Sequence, residues 1–119
     1  MSQQILFETS RFIASEPNDP SGQELLRWLS EELAAHGAVT NDIRRKNPGW
    51  ELDATHGVAK YVVIASRQSG DSWKIQVDKR RTMSDQLLGK NKLVPTDPFV
   101  WLVENALQND SAIKNVRRT

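Results

Sequence analysis

Between Trp50 and Arg80, apolar and polar residues alternate with the period of a β-strand. Trp50, Leu52 and Ala54 interleave with Glu51, Asp53 and Thr55, and Trp73, Ile75 and Val77 interleave with Lys74, Gln76 and Asp78. A period of two puts one set on each side of a strand, so both runs predict strands with an apolar inner face and a polar outer face. The run between them, Lys60 to Ala65, is apolar on both sides through Tyr61, Val62, Val63 and Ile64, which predicts a central strand. Turn residues bound all three, with Pro48-Gly49, His56-Gly57 and Ser69-Gly70-Asp71 at the junctions. The expected result is an antiparallel meander.

Upstream, Ile5-Leu6-Phe7 predicts a first strand over 4–8, and the two prolines of Glu16-Pro17-Asn18-Asp19-Pro20 break the pattern after it. The period then changes. Leu25, Leu26, Trp28, Leu29 and Leu33 recur at helical spacing, with Arg27, Ser30, Glu31 and Glu32 on the other side. Ser21 with Glu24 three residues later has the form of a capping box, and His36-Gly37 supplies a left-handed stop. Ala38 to Ile43 predicts a strand leaving this helix, parallel to the first strand in a strand, helix, strand unit. Arg44-Arg45-Lys46-Asn47-Pro48-Gly49 reads as a basic loop.

Beyond the meander, residues 82–95 show no sustained period and read as a long loop with one helical turn at Ser84 to Leu88. Asp97-Pro98 announces a second helix, with Asp97 as cap and Pro98 at the first helical position. Phe99, Leu102, Val103, Ala106 and Leu107 form its apolar stripe, Asn109-Asp110 ends it, and Ile113 to Val116 predicts a last short strand. The expectation is one α+β domain over residues 1–119. It is a two-layer sandwich in the order β-α-β-β-β-β-α-β, with two helices on one face of a mainly antiparallel sheet and a more polar second face.

Composition narrows the chemistry. The absence of Cys removes disulfides, thiolate nucleophiles and Cys-based metal sites. No apolar run approaches the roughly 20 residues of a membrane span, and Met1-Ser2-Gln3-Gln4 lacks the basic start of a secretory leader. A soluble, cytoplasmic protein with no membrane partner and no cofactor is expected. The formal net charge of +1 conceals a segregation. Residues 1–37 hold two basic residues against six acids, net −4, whereas 38–95 hold eleven against six, net +5. Such a dipole can orient an encounter with a charged partner, or simply reflect an acidic helix beside a basic sheet edge.

The capped helix Leu25-Leu26-Arg27-Trp28-Leu29-Ser30-Glu31-Glu32-Leu33-Ala34-Ala35-His36-Gly37 is succeeded by Gly49-Trp50-Glu51-Leu52, a later Trp73-Lys74-Ile75 and a terminal Val116-Arg117-Arg118. In this order the chain resembles a loose group of small uncharacterised bacterial α+β proteins. The resemblance rests on packing and turn residues and implies no activity.

Candidate chemistry is sparse. His36 beside Gly37 suits a helix C-terminus. His56 lies in a turn near Asp53 and Lys60. Glu51 and Asp53 share a strand face with α-carbons about 7 Å apart, which suits a carboxylate pair or, with His56, a metal or hydrolytic site; it equally suits cross-strand pairing with Lys60 or Lys74. The six glycines are isolated from one another, so no phosphate-binding glycine loop is present. Three basic clusters, Arg44-Arg45-Lys46, Lys79-Arg80-Arg81 and Lys90 with Lys92, flank the meander and offer a nucleic-acid reading. Trp28, Trp50 and Trp73 read as core anchors. Phe99-Val100-Trp101-Leu102-Val103 wraps around a helix, so that helix is either buried on several sides or exposes Val100 and Trp101 to a partner. The leading expectation is a non-enzymatic protein that acts by protein contact, as a homodimer or as an inhibitor or immunity-type partner. Nucleic-acid binding stands second, and a site at Glu51, Asp53 and His56 third.

Overall fold

The computed structural model describes residues 2–12, 21–46, 49–89 and 92–119. Along the chain run β1 (Gln3–Thr9), α1 (Ser21–Ala34), β2 (Val39–Lys46), β3 (Gly49–His56), β4 (Ala59–Ser69), β5 (Ser72–Lys79), α2 (Met83–Leu88), α3 (Pro98–Gln108) and β6 (Ile113–Arg118). The strands form one six-stranded sheet in the order β2-β3-β4-β5-β1-β6, with antiparallel pairing throughout. This is the α+β sandwich that the alternation predicts, and the helical turn expected at Ser84 to Leu88 forms as α2.

The meander β3-β4-β5 closes through turns in which Gly57 (φ 65°) and Gly70 (φ 51°) take the left-handed backbone that other residues avoid. The parallel relation predicted for the strands flanking α1 holds in direction. β1 and β2 point the same way, but β5, β4 and β3 lie between them, so no parallel pair forms. The crossover that contains α1 is long enough for this. Fourteen residues at the usual helical rise span about 21 Å, enough to carry the chain over the roughly 19 Å of four strand spacings. β1 is thereby free to pair with β5 on one side and β6 on the other. The run Arg44-Arg45-Lys46, expected in a loop, belongs to edge strand β2.

The core lies between the sheet and the helical layer. Ile5 and Phe7, Leu52 and Ala54, Tyr61, Val63 and Ala65, and Trp73, Ile75 and Val77 alternate inward and are buried. Leu25, Leu26, Leu29 and Leu33 of α1 and Phe99, Val103 and Leu107 of α3 meet them, and α1 also packs on α3. Gly22 lets α1 close on the sheet, since a Cβ there would stand 2.5 Å from Cδ1 of Trp50. Trp28 is half-buried beside Phe12, with ring centroids 6.0 Å apart. Gly37, with φ 90°, ends the α1 turn as its position predicts. The capping box expected at Ser21 falls on a side chain outside the described residues. Among the described residues no helix is long and apolar enough to cross a membrane.

Candidate functional site

On the side of the sheet away from the helices, the register aligns polar side chains around a half-buried apolar stripe. Glu51 sits opposite Ile64, Asp53 opposite Val62, and Leu6 opposite Lys74. Arg44 pairs across β2 and β3 with Glu51, and its guanidinium reaches Glu51 at 2.7 Å and Asp53 at 3.0 Å. Arg80 closes the network on Asp53 at 3.0 Å. Hydrogen bonding to Arg44, reinforced by Arg80, holds the Asp53 carboxyl below the usual carboxylate range despite its partial burial. These carboxylates are therefore structural acceptors. Their partners are Arg44 and Arg80, not Lys60 or Lys74.

His56 does not join them. It stands on the helix side of β3, with its ring 6.1 Å from that of Phe99. Strand alternation already implies this separation, because 56 differs from 51 and 53 by an odd number of residues. The metal or hydrolytic candidate Glu51, Asp53 and His56 is thus split across the sheet, and no cluster of three metal-ligating side chains occurs among the described residues.

The two ends of the sheet differ. At the end marked by the β3–β4 turn, Lys79 and Tyr61 approach the buried cap of α3. Asp97, 4 % exposed, accepts hydrogen bonds from the Phe99 amide at 2.9 Å and from the Tyr61 hydroxyl at 2.9 Å, with Lys79 Nζ at 3.8 Å. Tyr61 stacks on Phe99 at 4.3 Å. Burial, together with the Asp97 carboxylate, pushes the Tyr61 phenol well above its usual range.

Around this hub the surface turns apolar. Every large hydrophobic residue exposed among the described residues belongs to this end: Val39 at the start of β2, Val58 in the β3–β4 turn, Met83, Leu87 and Leu88 on α2, Val94 before α3, and Trp101 in its first turn. Helix α2 is the sharpest case. It buries no residue. Thr82 accepts from the Asp85 amide, Asp85 accepts in return from the Thr82 amide, and Gly89, in the left-handed region, closes the C-terminus. A helix of six residues has little stability of its own, so capping at both ends sustains it while its apolar side chains remain outside.

Trp101 is 55 % exposed and lines a shallow pocket of about 550 Å³ with Pro95, Thr96, Pro98 and Arg118. Arg118 is held there by Glu104 at 2.9 Å and by the Pro95 carbonyl. Val100, the companion candidate for an exposed patch, is fully buried and offers no surface. Phe99, Val100, Val103 and Leu107 span about 100° of helix circumference, and Trp101, about 200° from Phe99, lies opposite them. Both sequence alternatives are thus partly realised: the helix takes Val100 into the core and leaves Trp101 outside.

The basic candidates separate as well. Arg44 and Arg80 join the carboxylate network, Arg45 stacks over Trp50 at 5.4 Å, and Lys79 leans on Tyr61 and Asp97. Arg81 donates to the Asp85 carbonyl at 2.9 Å. Lys46 and Lys92 are exposed, and Lys90 lies outside the described residues. Arg80 and Arg81 nevertheless meet Lys60 and Lys79 in one pocket of about 430 Å³, lined also by Val58, Ala59, Thr82 and Asp85. From the sequence, Lys60 figures only beside His56 and as a cross-strand partner, and α2 only as one helical turn in a long loop. A signal for α2 is present in Thr82-x-x-Asp85 with Gly89 after it, a capping motif and a stop. No protein-family model, curated protein or solved structure matches this chain.

Proposed function

We propose that this chain is a non-enzymatic binding protein that docks a partner protein on the β3–β4 end of its sheet. The observation that carries the reading is α2: six residues capped at both ends, three apolar side chains exposed, none buried. Apolar side chains on a preformed element cost little entropy to fix on binding, so Met83, Leu87 and Leu88 suit anchors, and Trp101 is exposed at the same end of the sheet. The outermost charges there are positive. Lys60, Arg80 and Lys92 are exposed, whereas Asp53, Asp78 and Asp85 are half-buried. The surface therefore fits an acidic partner protein. A two-fold contact between copies would bring like charges together, which disfavours the homodimer. A cytoplasmic setting agrees with the absence of cysteine.

The test is affinity capture from the native cell with the wild type and with a Leu87→Asp, Leu88→Asp double variant. The reading expects a protein retained by the wild type, released by salt and lost from the variant. Retention of the same proteins by both would refute it.

A further inference from the structure

The pocket between the β3–β4 turn and residues 79–82 contains an arrangement that the fold itself does not need. The register that pairs Tyr61 with Lys79 brings Lys60 opposite Arg80, and the Arg80 amide donates to the Lys60 carbonyl at 2.8 Å. Like charges at facing positions on neighbouring strands destabilise a sheet. Only one of the two is compensated: Arg80 has Asp53, while the Lys60 ammonium has no ion-pair partner among the described residues. An anion between them would relieve the repulsion that the strands otherwise carry.

We infer that this pocket binds a phosphate-bearing ligand, with Lys60 and Arg80 as its principal contacts. Arg80 spends one Nη on Asp53 and keeps further N–H donors in the planar fork that matches a phosphate. The Thr82 hydroxyl oxygen accepts from the Asp85 amide in the α2 cap, which leaves its own hydrogen to donate. Lys79 and Arg81 also line the pocket, Lys79 with its ammonium turned toward Asp97. Asp85, the acid in the lining, is engaged by the Thr82 amide at 3.2 Å. Val58 and Ala59 give one apolar side, and the volume of about 430 Å³ exceeds what a bare phosphate fills. The ligand is accordingly a phosphate ester with a small organic body, either a free phosphoester or one residue of a nucleic-acid strand.

The inference stands apart from the docking reading, since a phosphate titration and a protein capture report on different contacts. The test is an amide chemical-shift titration at constant ionic strength with inorganic phosphate, pyrophosphate, a 5′-mononucleotide and a short single-stranded oligonucleotide. Saturable shifts confined to residues 58–60 and 79–82 are expected, with affinity about tenfold weaker in Lys60→Ala and unchanged in Lys114→Ala at the other end of the sheet. Lys60 is exposed, so the substitution leaves the fold intact. Tighter binding of the oligonucleotide than of the mononucleotide identifies a nucleic-acid source, and equal binding a free phosphoester. Absence of saturation by pyrophosphate at about 10 mM, or equal affinity in Lys60→Ala and the wild type, would overturn the inference.

Discussion

The two ends of the sheet are built with the same device and carry opposite surfaces. Each has a hairpin whose glycine takes a positive φ, Gly57 at one end and Gly70 at the other. Around Gly70 stand Arg67, Gln68, Ser69 and Asp71, and the nearby hollow is lined by Glu8, Thr9, Ser10, Ala112, Lys114 and Asn115. Arg67 folds back onto the Gly70 carbonyl at 2.8 Å. This end satisfies itself with local polar contacts. Around Gly57 the chain exposes Val39, Val58, Met83, Leu87, Leu88, Val94 and Trp101. Isolated surface hydrophobics need no explanation, but seven at one end and none at the other, among the described residues, do. Local stability accounts for the first end, and partner binding is the role proposed for the second.

The strongest way to break the contrast is to remove the hub beneath the apolar end. Asp97→Ala deletes the α3 cap and leaves the Tyr61 hydroxyl and Lys79 without their carboxylate, which should cost roughly 3 kcal/mol in a denaturant titration. Alkali probes the same hub more gently. The Tyr61 phenol is held protonated above its ordinary range, so its contribution is complete below about pH 10 and is lost as pH rises through the raised folded value. Loss of stability that tracks Tyr61 ionisation, monitored by ultraviolet absorbance, is the expected outcome.

Smaller and more local is Thr82→Ala. Loss of the cap should destabilise α2 by about 1 kcal/mol and speed amide exchange over Met83 to Leu88 several-fold, with the global unfolding midpoint unchanged because α2 buries nothing. Smallest for stability is Leu87→Ser. It should stay within about 0.5 kcal/mol of the wild type, in contrast to Leu107→Ala in the buried face of α3, where about 3 kcal/mol is expected. A large loss from Leu87→Ser would mean that α2 is part of the core.

The range of the forces involved decides how much of this was legible in the chain. The meander was readable because alternation and turn glycines are local, and the inward set Leu52, Ala54, Trp73, Ile75 and Val77 is buried as the pattern predicts. Asp97-Pro98 marked the start of α3 for the same reason. The insertion of β1 between β5 and β6 was not readable, because it depends on tertiary pairing between segments far apart in sequence. The basic run at 44–46 looked like a loop because an edge strand can be fully charged, which also blunts its exposed edge. The facing of Lys60 and Arg80 is set only by the register, and α2 shows in the chain as no more than a helical turn because six residues are too few to carry a period.

Site-specific photo-crosslinking in the native cell tests the central claim most directly, with the reactive residue at Leu87 in one variant and at Gln68, beside Gly70, in the other. The account predicts a discrete adduct from position 87 that disappears when Leu88→Asp is added, and none from position 68. No adduct from 87, or the same adducts from both positions, would contradict it.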